Sequence, residues 1–159
     1  MRSDQALVDS VVQALRARGQ TVSFAESCSG GLLSSKLTAL AGVSDVYMGS
    51  VVAYSNEVKA NVLKVGEPAL KAYGAVSLPV ARAMASGVRN LIGTTWSLSI
   101  TGIAGPGGGS PSKPVGTVCI GIAGPAIDRA VQLQFAGSRS VIQQASSDEA
   151  LRLLLGELS

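Results

Sequence analysis

Histidine is absent from the 159 residues, and with it every Ser-His or Cys-His catalytic pair and the commonest nitrogen ligand of a zinc site. Any general base must therefore be Lys, Glu, Asp or Tyr. Cysteine is nearly as scarce: Cys28 and Cys119 stand far apart in sequence. They are too few for a disulfide framework or a metal centre, so no metal and no cofactor is expected, and a reducing cytoplasm is the expected location. Aromatic residues make up 4% and charged residues 14%, against 47% hydrophobic residues and 19 glycines, the balance of a tightly packed α/β protein rather than a disordered or fibrous one. The net charge of +3 is not gathered into a basic run, and no aromatics are interleaved with the cations for base stacking, so no nucleic-acid partner is expected. No apolar run approaches the length of a membrane span, and the N-terminal stretch lacks the apolar centre of a signal peptide, which argues against a membrane. At this length a single domain, residues 1–159, is expected.

What is present alternates. Leu7, Val8, Val11, Val12 and Leu15 share one helical face after a cap at Ser3 or Asp4, and Gly19 ends the pattern. "TVSFA" reads as a strand, "SGGLLSSKLTALAG" as a helix with Leu32, Leu33, Leu37 and Leu40 as its stripe, and "VYMGSVVAYS" as a second strand. "NEVKANVLKV" reads as a short helix capped by Ser55 or Asn56, and "LPVARAMASGVRNLIG" as a longer one starting at Ser77 with Pro79 in its first turn. "TWSLSI", "VGTVCIGIAG" and "RAVQLQF" are strands, and residues 138–158 close the chain as a helix. Alternating helices and strands followed by consecutive strands predict a three-layer α/β/α sandwich with a mixed sheet.

Three stretches carry the polar groups that chemistry needs. In "TVSFAESCSGG", residues 21–31, a strand runs into Glu26, Ser27, Cys28 and Ser29 and two glycines. Backbone N–H groups at such a strand-to-helix junction can bind an anion or an oxyanion, and Gly30 and Gly31 let a ligand approach the backbone; equally, Ser27 or Ser29 can simply cap the helix. In "YSNEVK", residues 54–59, Lys59 lies three residues after Asn56 on the face of the helix entrance. A desolvated lysine with a lowered pKa can serve as base for a serine hydroxyl; the alternative is an ordinary exposed helix lysine. The loop over residues 101–116 holds six glycines and three prolines, with Lys113 as a candidate point charge for a phosphate or carboxylate. Its spacing is not that of a P-loop.

Taken in order, "AESCSGG", "YSNEVK", "YGAVS" and "TGIAGPGGGSPSKPVGTV" resemble the successive signature segments of the CinA C-terminal domain family, with a weaker tail at "FAGSRSVIQ". The resemblance implies that family's fold and the deamidation of nicotinamide mononucleotide to the acid with release of ammonia, in a stand-alone form without the larger proteins' extra N-terminal domain. It implies Ser27 as nucleophile, with Ser29 and Cys28 as the alternatives, Lys59 as base and Tyr54 assisting; Glu26, Cys28 and Ser29 shape the site, with Asn56 at its edge. Cys28 is the stronger intrinsic nucleophile, and a helix N-terminus lowers a thiol pKa; strand alternation, however, predicts that Ser27 and Cys28 do not both face the substrate. Thr101, Gly102 and the backbone of Gly105, Pro106, Gly107 and Gly108 are expected to contact ribose and phosphate; Arg139 either reaches the phosphate or faces solvent at the start of the last helix. A homo-oligomer, with a dimer favoured, is also expected. Three positions depart from the family pattern: Ser29 stands where threonine is frequent, Ser138 where aspartate is common and Gln143 where arginine is common. The departure at Gln143 sustains a rival reading, a domain that keeps its pocket and acts as a nucleotide sensor or protein-interaction module.

Overall fold

The computed structural model describes residues 2–159, with side chains from residue 4 onward. In chain order it contains α1 (Arg2–Arg18), β1 (Val22–Glu26), α2 (Leu32–Thr38), a single 3-10 turn (Val43–Asp45), β2 (Tyr47–Val52), α3 (Asn56–Asn61) and α4 (Glu67–Tyr73). There follow α5 (Leu78–Ile92), β3 (Trp96–Gly102), β4 (Thr117–Gly124), β5 (Ile127–Gln134) and α6 (Arg139–Leu158). The five strands form one sheet in the order β2-β1-β3-β4-β5. β1 pairs in parallel with β2 and β3, while β4 runs antiparallel to both β3 and β5. This is the expected mixed sheet between two helical layers.

The period of two along the buried strands assigns the layers. Phe24, Leu98, Ile100, Ile120 and Ile122 point into a core closed by Val11 and Leu15 of α1, Leu33 and Leu37 of α2, and Leu151 and Leu154 of α6. The opposite face packs Ala25 against Val80, Met84 and Val88 of α5, with Leu63 and Val65 beside them. On that second face β3 carries serines where larger side chains would hold α5 away. Ser97 and Ser99 donate to the Ala85 and Ala81 carbonyls at 2.6 Å each, so their hydroxyls are paired although buried.

Gly121 of β4 completes this close approach. A Cβ there would lie 2.3 Å from the Ala81 carbonyl oxygen and 2.5 Å from Ser99 Oγ. Gly121→Ala must push α5 off the sheet, and we expect a loss of about 2–3 kcal/mol, a melting midpoint lower by roughly 5–10 °C, read by thermal denaturation.

Several sequence expectations are corrected. The first helix is already running at Arg2, so Ser3 and Asp4 lie within it rather than at its cap. α2 ends at Thr38, leaving Leu40 beyond it, because the chain turns through Gly42 at φ 79° into the 3-10 turn. α4, which the sequence reading missed, has no fully buried residue: it packs only the half-buried Ala69 and Leu70 on the core and has Pro68 in its first turn. Ser55, not Asn56, caps α3, and Ser77 and Ser138 cap α5 and α6. No helix among the described residues is long and apolar enough to cross a membrane.

Candidate active site

Because β2, β1 and β3 are parallel neighbours, their C-terminal ends lie side by side, the edge of an α/β sheet where ligands bind. Ser27 follows β1, Tyr54 and Lys59 follow β2, and Thr101 and Gly102 end β3, with the glycine-rich loop after them. These segments, joined by Arg139 from the first turn of α6, line a cavity of about 260 Å³.

At its centre Lys59 Nζ lies 3.0 Å from Ser27 Oγ and 3.0 Å from the Tyr54 carbonyl oxygen. Ser55 caps α3 by accepting from Val58 N–H, which directs the following Lys59 inward, where its side chain is 1% exposed. Burial pushes the Lys59 pKa down, since a desolvated ammonium is disfavoured, and no carboxylate is among the residues lining the cavity to hold it charged. A neutral amine can give one N–H to Tyr54 and turn its lone pair to the Ser27 hydroxyl, the arrangement of a general base beside a nucleophile.

Cys28 also lines the cavity, against the expectation that Ser27 and Cys28 face opposite ways. β1 ends at Glu26 and residues 27–31 form a turn, so strand alternation no longer applies there. The thiol pKa is nevertheless raised to about 11, chiefly by burial, and not lowered as a helix N-terminus alone would make it. The thiol is therefore neutral at ordinary pH and a poor nucleophile.

The N-terminus of α2 is not open to a ligand, as the sequence suggested. The Glu26 carboxylate, 0% exposed, accepts from the N–H groups of Gly31 (3.2 Å), Leu33 (3.0 Å) and Ser34 (2.9 Å) and from the Ser34 hydroxyl. Glu26 thus turns away from the cavity to satisfy the orphan donors of the helix, and Gly30 and Gly31, at φ 60° and 101°, let the chain reverse into it. These N–H groups are therefore already paired, and none of them is free to hold an anion. The Ser27 carbonyl accepts from Gly30 N–H at 3.1 Å, so across the trans peptide the Cys28 N–H points the opposite way, at a residue that lines the cavity.

Of the other expected residues, Thr101, Gly102, Gly105, Gly107 and Arg139 reach the cavity. Arg139 donates to the Gly105 carbonyl at 2.7 Å and to the Tyr54 hydroxyl at 3.3 Å. The Tyr54 phenol therefore meets the arginine, while its carbonyl meets the lysine. Thr101 donates to the Ala75 carbonyl at 2.9 Å, fixing the "YGAVS" segment whose Ala75 and Val76 form a wall. Ser29, Gly30, Gly31, Asn56 and Pro106 are not among the lining residues; Asn56 instead borders a separate groove between α3 and α4. The Ser29 hydroxyl is buried without a hydrogen-bond partner among the described residues, and nothing in the structure explains it. Lys113 is no free point charge, since its Nζ donates to the Tyr73 carbonyl at 2.6 Å. Gly108, at the end of the expected backbone run, also lines the cavity, whereas Ile103 and Ala104 were missed although both fall in the loop already singled out.

Comparison with known proteins supplies the family. Residues 4–158 match the CinA C-terminal domain. A CinA-like protein of Anaeromyxobacter dehalogenans (strain 2CP-C) is 49% identical over 148 residues, covering 93% of this chain and 36% of its own length. One of Gloeobacter violaceus is 46% identical over 159 residues, covering 98% of this chain and 37% of its own length. The chain thus spans about a third of the length of the curated relatives it matches. Among solved structures, a competence-damaged protein (CinA) superfamily protein of Klebsiella pneumoniae superposes with a TM-score of 0.94 at 33% identity, covering 98% of this chain and 97% of that one. The competence/damage inducible protein CihA of Agrobacterium tumefaciens gives 0.91 at 35% identity, with 96% and 94% covered. Sequence match, fold and the clustering of the signature segments around one cavity agree, and the chain belongs to the CinA C-terminal domain family.

Proposed function

We propose that the protein hydrolyses the carboxamide of nicotinamide mononucleotide, through Ser27 as nucleophile and Lys59 as general base. The observation that carries this reading is the 3.0 Å contact between Lys59 Nζ and Ser27 Oγ, made by a buried lysine whose pKa is pushed down. Ser27 Oγ attacks the carboxamide carbon as its proton passes to neutral Lys59. The oxyanion faces the Cys28 N–H. Collapse of the tetrahedral species breaks the C–N bond, and the Lys59 ammonium returns the proton to the departing nitrogen, which leaves as ammonia. Water, deprotonated by the again neutral Lys59, then attacks the acyl-enzyme and releases the acid and Ser27.

The rest of the cavity suits an anionic nucleotide. Gly105, Gly107 and Gly108 present backbone to it beside the Arg139 guanidinium, and no acidic side chain is among the lining residues. The rival reading as a pure binding domain drew on the missing charge at Gln143. That side chain is outside the lining set and donates instead to the Cys28 carbonyl, so it offers no support for lost turnover.

Ammonia release from nicotinamide mononucleotide by the purified protein is the test. Wild type is expected to release it and Ser27→Ala to lose at least about 10³-fold in kcat while keeping the wild-type melting midpoint. A folded wild type that binds the mononucleotide and liberates no ammonia would overturn the reading.

A further inference from the structure

We propose that Gln143 is a positioning residue: from α6 it holds the peptide that follows the nucleophile, and thereby sets the rate of the chemical step rather than the binding of substrate. The inference rests on the hydrolytic reading above.

Gln143 Nε2 donates to the Cys28 carbonyl at 2.9 Å, a contact that joins residues 115 positions apart in sequence. The other groups of the nucleophile turn are held locally or by the sheet. Ser27 N–H donates to the Ile100 carbonyl, Gly30 N–H to the Ser27 carbonyl and Leu32 N–H to the Ser29 carbonyl, while Glu26 takes Gly31 N–H. The Cys28 carbonyl is the group in this turn that depends on a side chain from a distant element. With the Ser27 carbonyl pinned on one side and the Cys28 carbonyl on the other, both peptide planes flanking the Cys28 α-carbon are fixed. The direction of the Cys28 N–H, the candidate oxyanion donor, is fixed with them.

α6 is a firm platform for this contact. Ser138 caps it, Ile142 next to Gln143 is 1% exposed in the core, and Lys36 of α2 pairs with Asp148 one turn further on. Arg139 and Gln143 are four residues apart and share a face. The first holds the glycine loop and Tyr54, and the second holds the nucleophile turn. One helical face thus brackets both sides of the cavity, and only the arginine lines it.

The test compares Gln143→Glu, which keeps the shape but sets an acceptor against the carbonyl, with Gln143→Met, which has no donor, and Gln143→Lys, which restores one. The first two are expected to lower kcat about tenfold or more with KM within twofold of wild type, and Gln143→Lys to recover most of the rate. A second readout needs no knowledge of the substrate: the rate at which a fluorophosphonate labels Ser27, measured well below every variant's melting midpoint with Ser27→Ala as the blank. It should fall at least fivefold in Gln143→Glu and Gln143→Met. Should wild type label yet release no ammonia, slowed labelling in these variants supports the positioning role while the amidase reading fails. Unchanged kcat and labelling in both variants, or a KM that rises in step with the loss, would overturn it. A wild type that neither labels nor turns over would overturn both readings together.

Discussion

Lys59→Met is expected to reduce ammonia release by at least about 10³-fold and yet to melt no lower than wild type. Both halves follow from one placement. The amine is 1% exposed and touches the nucleophile at 3.0 Å, so its removal takes away the only lysine lining the cavity. Methionine fills a similar volume without an ammonium to desolvate. The pH dependence has a definite sign. Burial lowers the folded-state pKa, so between that value and the ordinary lysine value the unfolded chain binds more protons than the folded one. The burial penalty is complete below the folded pKa and is relieved as pH rises through this window. Wild-type stability should therefore gain from that rise, and Lys59→Met should lack this contribution. Activity should rise along an acid limb as Lys59 loses its proton, at a pKa below that of an ordinary lysine. Thermal melts and kcat/KM profiles of the two proteins across pH check the pair of expectations. A Lys59→Met protein with wild-type turnover would remove the lysine from the mechanism.

Glu26→Ala is expected to be the more damaging to the fold, with a loss of about 3–4 kcal/mol, a large share of the stability of an ordinary domain. Three backbone donors and the Ser34 hydroxyl converge on this carboxylate, and a buried alanine leaves the three N–H groups without this acceptor. Ser34 Oγ also lies 2.7 Å from Ser50 Oγ, which meets the Tyr47 hydroxyl at 2.6 Å, so the disturbance reaches β2. Glu26→Gln keeps the volume but presents an amide N–H to donors, and about half the loss is expected. Chemical denaturation of the three proteins measures the series. Equal midpoints for Glu26→Ala and wild type would show that α2 does not depend on this cap.

The sequence carried these two residues with unequal clarity. Lys59 was legible as a candidate because the chain has no histidine and places a lysine at the entrance of a short helix; that it is buried was not. Glu26 read as a residue of the pocket because it sits in the reactive cluster, and its neighbour does line the cavity. β1 ends at Glu26, however, so its side chain keeps the direction of the strand while residues 27–31 turn away. Gln143 was legible only as a departure from a pattern, since its contact lies 115 positions away. α4 was illegible for a simpler reason: a helix of 7 residues that packs only the half-buried Ala69 and Leu70 on the core is too short to show an apolar period.

By itself the sequence determined the order of the strands and most helices, the α/β/α layering and the exclusion of histidine chemistry. It also marked the three segments in which the cavity-lining polar residues other than Arg139 occur. These are local or compositional properties: period two in the strands, period 3.6 in α1 and α5, and polar cap residues at the starts of α3 and α5. The tertiary structure alone decided which polar groups meet. Parallel pairing of β2, β1 and β3 brings Ser27, Lys59 and Thr101 to one edge, where burial turns a lysine into a candidate base and a cysteine into a neutral thiol. Those outcomes depend on desolvation and on distances between residues remote in sequence, and neither quantity exists until the chain has folded.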